Sequence, residues 1–299
     1  MSLFFSRKKH SMLGVDFLPT GIAVAQVVKS PGAVAMLRHS EFLPSQGRQA
    51  QAGALREWVS RHGLRRAACY CLLRDTDYDI NLVERPEVDE SELAQAMTWR
   101  IRDLVSYDVA SAVVDIYPMP VSAKNNRQQV SVVSADESVV GDYVDTIGAA
   151  GLRLEVIDVH DLVSANLPVV RQGQERSQAI LSLGEEGGML NLFHDTDLYV
   201  SRRFKIGISR LASANAEDPA AYDDLLLEIQ RSMDYYESYY GNGSVPSLRV
   251  FPRLPVTEKM ALYLQNLVAY DVDFIEMDGD PPDFHCFHAY CAALRGVAA

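Results

Sequence analysis

Apolar residues recur along this chain in two periods, and the switches between them outline its elements. Between Met12 and Leu43 they come as short runs, MLGVDFL, IAVAQVV and AVAML, broken by Pro19-Thr20-Gly21 and Pro31-Gly32. Runs of that length between turn residues predict a meander of β-hairpins. From Gln49 to Arg61 the spacing becomes helical, with Leu55, Trp58 and Val59 in phase and Gly63 placed to stop the helix. Ala67–Leu73 predicts another buried strand. Asp89 then stands as an N-cap with Glu92 three residues on, and Leu93, Met97, Ile101 and Leu104 follow on one helix face. Strands are predicted at 112–117, 129–134 and 154–159. A helix boxed by Ser134 and Glu137 precedes the last of these, with Val140, Tyr143, Val144 and Ile147 inward. Residues 75–160 therefore read as an α+β unit with two helices.

The second half starts like the first. Gln178–Leu183, a turn at Gly184-Glu185-Glu186-Gly187-Gly188, MLNLFH and LYVSRRF repeat the strand–turn–strand order. An offset of 166 residues lays Asp16 on Ser182 without a gap, which marks an internal repeat of a hairpin-rich unit. Tyr222, Leu226, Ile229, Met233, Tyr236 and Tyr240 then predict a long amphipathic helix ended by Gly241-Asn242-Gly243. A strand at 248–251, a helix at 259–268 with Met260, Leu264 and Leu267 inward, and a closing helix at 287–295 complete the pattern.

Composition narrows the class. The chain has 299 residues, 48% hydrophobic and 23% charged, ordinary for a folded soluble protein and unlike a disordered or low-complexity one. With 28 Lys and Arg against 40 Asp and Glu the net charge is −12, which argues against nucleic acid as a partner. Four cysteines are too few for a disulfide scaffold and suit buried thiols in a reducing compartment. No run reaches the ~18–20 apolar residues of a membrane span, and the N-terminus lacks the apolar core of a secretory signal, so a cytoplasmic protein is expected. Residues 1–11 read as a flexible tail, in which Phe4 and Phe5 beside Arg7, Lys8 and Lys9 are either a frayed end or a contact with an anionic membrane surface.

Two hairpin-and-helix lobes related by a repeat, with an insert in the first, suggest an α/β actin-like (ribonuclease H-like) fold. The stretches LGVDFLPTGIAVAQV (13–27), VERPEVDESELAQAMTWRIRDLVSYDVASAVVDIYP (83–118), EIQRSMDYYESYYG (228–241) and AYCAALRG (289–296) carry a resemblance. In that order the chain resembles the PilM family of actin-like pilus-assembly proteins, and within it the MshI type of mannose-sensitive haemagglutinin (MSHA) pilus biogenesis. The resemblance implies a first lobe at 12–165 containing the insert 75–160, and a second lobe at 166–299. It also implies a scaffold peripheral at the inner membrane, bound to the N-terminal cytoplasmic peptide of a bitopic partner and working beside an assembly ATPase. In such proteins the insert and the first lobe form the peptide groove. The alternatives are an active actin-like ATPase, or the cytoplasmic part of a type II secretion platform protein, which normally continues into a membrane span where this chain ends at Ala299.

Actin-like ATPases hold metal with an Asp at the end of the first strand and phosphate with glycine-rich turns, whose amides a Cβ would block. Here the first motif stands as Asp16-Phe17-Leu18-Pro19-Thr20, with Leu18 at the glycine position and no amide donor on Pro19. The second has Ser182 at the Asp position, then Gly184, Gly187 and Gly188 as a flexible turn that also carries Glu185 and Glu186, whose charge repels a triphosphate. The adenosine-packing glycines are missing from Phe251-Pro252-Arg253-Leu254-Pro255, and Gly207 remains where the family often has two. The resemblance so implies loss of Mg-ATP hydrolysis and no cofactor, with ATP and Mg²⁺ the only candidates. If a nucleotide binds, Asp16, Thr20, Gly184, Gly187, Gly188, Glu228 and Arg231 are the positions to hold it.

Other constellations offer less. His285, Cys286, His288 and Cys291, with Cys69 and Cys71, match no standard zinc spacing, so no metal site is expected. No nucleophile elbow or catalytic triad is recognisable. Trp99 falls with Gln95 and Arg102 opposite the apolar stripe of its helix. Trp99 and Arg102 are therefore candidate partner contacts, the other reading of Trp99 being packing within its own lobe. Tyr235, Tyr236, Tyr239 and Tyr240 read as core and groove wall.

Overall fold

A computed structural model describes residues 10–30, 32–122, 128–172, 176–214, 218–277 and 279–297. The tail expected at 1–11 lies outside these up to residue 9, and Ser11 already belongs to a strand. In chain order, β1 (His10–Leu18), β2 (Gly21–Lys29) and β3 (Met36–Pro44) form the expected meander. They are followed by α1 (Arg48–Arg61), β4 (Ala68–Leu72), β5 (Asp79–Glu84), α2 (Glu90–Arg100), β6 (Ala112–Pro118) and β7 (Gln129–Asp136). Next come α3 (Glu137–Ala149), β8 (Arg153–Asp158) and two short helices, α4 (His160–Val163) and α5 (Pro168–Arg171). The second half holds β9 (Ser177–Leu183), β10 (Gly188–His194), β11 (Asp197–Phe204), α6 (Ile208–Ala212) and α7 (Ala220–Tyr240). It closes with β12 (Ser247–Phe251), α8 (Pro255–Gln265), β13 (Asp271–Phe274) and α9 (Phe287–Arg295). Among the described residues no helix is long and apolar enough to cross a membrane.

Contacts divide the chain into two compact units: Met1–Asp75 with Val139–Asn166 and Met277–Ala299, and Thr76–Ser138 with Leu167–Glu276. The first contains a five-stranded sheet in the order β3-β2-β1-β4-β8, antiparallel through β1 and parallel beyond it. The second contains β11-β10-β9-β12-β13 with the same order and directions. The repeat extends to register. Asp16 pairs with Ala23 on one neighbour and Leu72 on the other, while Ser182 pairs with Met189 and Phe251. The 166-residue offset that joins Asp16 to Ser182 also joins Ala23 to Met189.

The insert and the closing helix are partitioned differently from the expected lobes. The segment 76–138 groups with the second unit, and α3 and β8, read above as part of the insert, belong to the first, because β8 pairs in parallel with β4. The insert proper is the antiparallel sheet β5-β7-β6 with α2 across one face, where Leu93, Met97 and Ile101 pack on Val130 and Val132. Leu104 does not join them. α2 ends at Arg100, so helical spacing no longer aims Leu104 inward, and it is exposed. Leu267 lies out for the same reason beyond the end of α8. Val144 is exposed on α3, whose buried stripe is Tyr143, Thr146 and Ile147.

The closing helix, expected in the second lobe, lies on β1 in the first unit. Small residues make this possible: Ala289, Ala292 and Ala293 are fully buried, and a Cβ on Gly14 would stand 1.7 Å from the Ala289 carbonyl oxygen. In the second unit, Tyr222, Leu225, Ile229, Met233, Tyr236 and Tyr240 of α7 cover Leu181, Leu190, Leu248 and Val250. Of the tyrosine quartet, Tyr236 and Tyr240 are core and Tyr235 is exposed, stacked on Tyr239 at 5.1 Å.

Candidate functional site

Asp16 lies near the end of β1, the central strand of its sheet, with its side chain fully buried. His160 opens α4 just after β8, and its Nε2 stands 3.0 Å from each Asp16 oxygen, donating to the carboxylate. His288, in the first turn of α9, sets its ring edge-on to His160 at 5.0 Å. Asp16 is thus tied into a buried histidine contact and does not cap the hairpin turn. Thr20 is exposed in that turn, where its carbonyl accepts from the Ser45 amide at 3.0 Å.

A second layer escaped the sequence reading. Gln51, fully buried on α1, donates to the carbonyls of Leu18 and Gly21 at 2.8 and 3.1 Å. Arg74 donates through Nη2 to Gln51 Oε1 and through Nε to the Phe17 carbonyl. These bonds satisfy the carbonyls of the first turn from inside the protein, as buried acceptors require. A glutamine among apolar positions in a helix was the available signal.

In the second unit the turn after β9 is closely packed. Gly184 donates to the Gly187 carbonyl at 2.8 Å, and the carbonyls of Gly184 and Glu185 accept the first amides of α6, from Ile208 and Ser209, at 2.9 and 3.0 Å. Ser209 Oγ donates to Glu185 Oε1 at 2.5 Å and to Glu186 Oε1 at 3.3 Å. None of the three glycines has a positive φ. Two are glycine for want of space: a Cβ on Gly188 would lie 2.5 Å from the Phe204 ring, and one on Gly187 would lie 2.9 Å from the Phe204 carbonyl, whereas one on Gly184 would meet only an ordinary contact at 3.5 Å. Gly207 fits under the same turn, 2.4 Å from the Glu185 oxygen by that measure. Glu228 and Arg231 are joined to each other on α7 at 3.4 Å, and Glu228 also takes Arg202 of β11 at 3.2 Å. After β12, the Thr257 hydroxyl accepts from the Leu254 amide and donates to the Pro252 carbonyl. Asp16 and Thr20 therefore lie in one unit, and the five other nucleotide candidates in the second.

No protein-family profile and no curated protein matches this chain. Solved structures do. The structure titled PilM-PilN type IV pilus biogenesis complex aligns with a TM-score of 0.68 and 16% identity over 96% of this chain and 98% of that one. A Bacteroides thetaiotaomicron protein with an actin-like ATPase fold aligns at 0.51 and 11% over 92% and 94%. The fold is actin-like. The cytoplasmic domain of EpsL, an inner-membrane component of the Vibrio cholerae type II secretion system, aligns with this actin-like chain at 0.54 and 13% over 97% and 95%.

The insert of the actin-like chain carries the remaining candidates. Trp99 is 62% exposed on α2, and Arg102 is exposed just past the helix end, its amide donating to the Trp99 carbonyl at 3.4 Å. Beside α2 a cavity of about 920 Å³ is lined by Glu84, Arg85, Glu87, Asp89 and Glu92 at the start of the helix and by Arg100 at its end. Asp89 is the N-cap residue there, but its side chain makes no capping bond, leaving the carboxylate at the cavity wall. The second expected box also differs: Ser134 lies in β7, where its hydroxyl accepts from Tyr107, and Asp136 receives the Ser138 amide at 2.8 Å.

The four cysteines are free and buried. Burial pushes the Cys69 and Cys291 thiols up and brings Cys286 to about 12. Cys71 is raised first by burial and then by the neighbouring charges of Cys69 and Asp16. His285 is engaged elsewhere, stacked on Phe42 at 4.3 Å and bonded to Asp283 at 2.7 Å.

Proposed function

We propose that this chain is a cytoplasmic actin-like scaffold of a type IV pilus assembly complex of the MSHA kind, peripheral at the inner membrane, binding the N-terminal cytoplasmic peptide of a bitopic partner. The observation that carries this reading is the likeness to the PilM-PilN structure over nearly the whole chain. The insert supplies the contact surface. Its cavity sets four carboxylates against two guanidiniums, which favours a basic peptide, and exposed Trp99 with Arg102 provides an aromatic anchor beside a cation. The residues at the nucleotide positions do not fit Mg-ATP. Asp16 is bonded to His160, Leu18 and Pro19 replace a glycine and an amide donor, and Glu185 and Glu186 share Ser209.

Fluorescence anisotropy with N-terminal peptides of inner-membrane pilus-assembly proteins tests this. One basic peptide should bind saturably, and Trp99→Ala should weaken it at least about tenfold, as expected of an interface anchor. Absence of binding to every such peptide would overturn the reading. The EpsL likeness supports a second, in which the partner belongs to a type II secretion platform; peptides from that system binding in preference would select it.

A further inference from the structure

Three side chains that the scaffold reading leaves without a role meet in the first unit. Asp16 lies near the end of β1, His160 opens α4 and His288 lies in the first turn of α9. Each offers one donor atom, and these atoms all lie within 4.8 Å of one another. His160 Nε2 is 3.0 Å from both oxygens of Asp16, astride the carboxylate rather than on the line of one of them. Asp16 and His160 are buried, and His288 is half-buried. The frame is held on each side: β1 is paired with β2 and β4, and Gly14 seats α9 against β1.

The geometry points to a divalent transition-metal site formed by an Asp16 oxygen and one ring nitrogen each of His160 and His288, with a fourth position for water. Bonds of ~2.0–2.2 Å at tetrahedral angles put ligand atoms about 3.3–3.5 Å apart. The Asp16–His160 spacing needs to open by a few tenths of an ångström, and His288 starts within 4.8 Å of both. Two imidazoles and one carboxylate select a borderline ion such as Zn²⁺. Mg²⁺ prefers an octahedral shell of oxygens and is the wrong ion for this set. The site would use the very carboxylate that an actin-like ATPase gives to Mg²⁺, with different neighbours and so a different metal.

The test uses the full chain stripped of metal, titrated with Zn²⁺ and, as a spectroscopic probe, with Co²⁺. One ion per chain should bind, Co²⁺ should give the intense visible band of a tetrahedral site, and excess Mg²⁺ should displace neither. His288→Ala and His160→Ala should each lower Zn²⁺ affinity at least about tenfold. If His160→Ala fails to fold, His288→Ala decides, since its side chain is half-buried. No saturable Zn²⁺ binding, displacement by Mg²⁺, or unchanged binding in His288→Ala would overturn the assignment. The last result would place the ion on other histidines such as His285.

Discussion

Gly14 shows how much one missing methyl can determine. With 1.7 Å between an added Cβ and the Ala289 oxygen, Gly14→Ala must push α9 off β1. We expect a loss of about 3 kcal/mol, the upper range for overpacking, read by urea unfolding; a loss below ~0.5 kcal/mol would contradict the close approach. The cysteines give a second prediction at this scale. A thiol raised above its unfolded value stabilises the native state fully below that value and loses the contribution as pH rises through the native one. Cys286, ordinarily near 9.0 and about 12 here, should therefore help the fold weaken as pH climbs across that interval. The four thiols should resist a disulfide reagent at pH 8 in the native protein and all react in denaturant. Rapid reaction of the folded protein would contradict their burial.

At the scale of the element, α2 separates packing from exposure within three residues. Met97 is fully buried and Trp99 is 62% exposed. Met97→Ala should cost ~2–5 kcal/mol of stability. Trp99→Ala should change stability by less than ~0.5 kcal/mol, so its effect on peptide binding can be read without a folding artefact. The two caps make a matched pair. Asp136→Ala should cost about 1 kcal/mol through the lost bond to the Ser138 amide, whereas Asp89→Ala should cost little, because Asp89 makes no capping bond. Thermal melts of the two variants in parallel check the difference. The pattern of apolar positions located the longer elements, since a helix or strand face is written in residues a few positions apart, and missed β5, β13 and the short helices α4, α5 and α6. It failed at Leu104 and Leu267, where the helix stops before the spacing does, and at Val144, which lies off the buried stripe of α3.

At the scale of the molecule, the proposal that Mg-ATP is neither bound nor hydrolysed has a direct check. Mg-ATP should leave the melting temperature unchanged; a rise abolished by Asp16→Ala would overturn it. The closing helix belongs to this scale too. α9 buries Phe287, Tyr290, Cys291 and Leu294 in the first unit, so a chain ending before residue 287 should lose that unit's cooperative transition in calorimetry. By itself the sequence determined the order of the longer elements, the repeat and its register, and the net acidic charge. All of these depend on neighbours along the chain or on an offset between two similar stretches. Only the tertiary structure decided that α9 returns to β1, that 76–138 groups with the second half, and that His160, 144 residues from Asp16, meets it with His288. Those meetings depend on the strand order β1-β4-β8 and on a helix crossing at a glycine, non-local packing that leaves no period in the sequence.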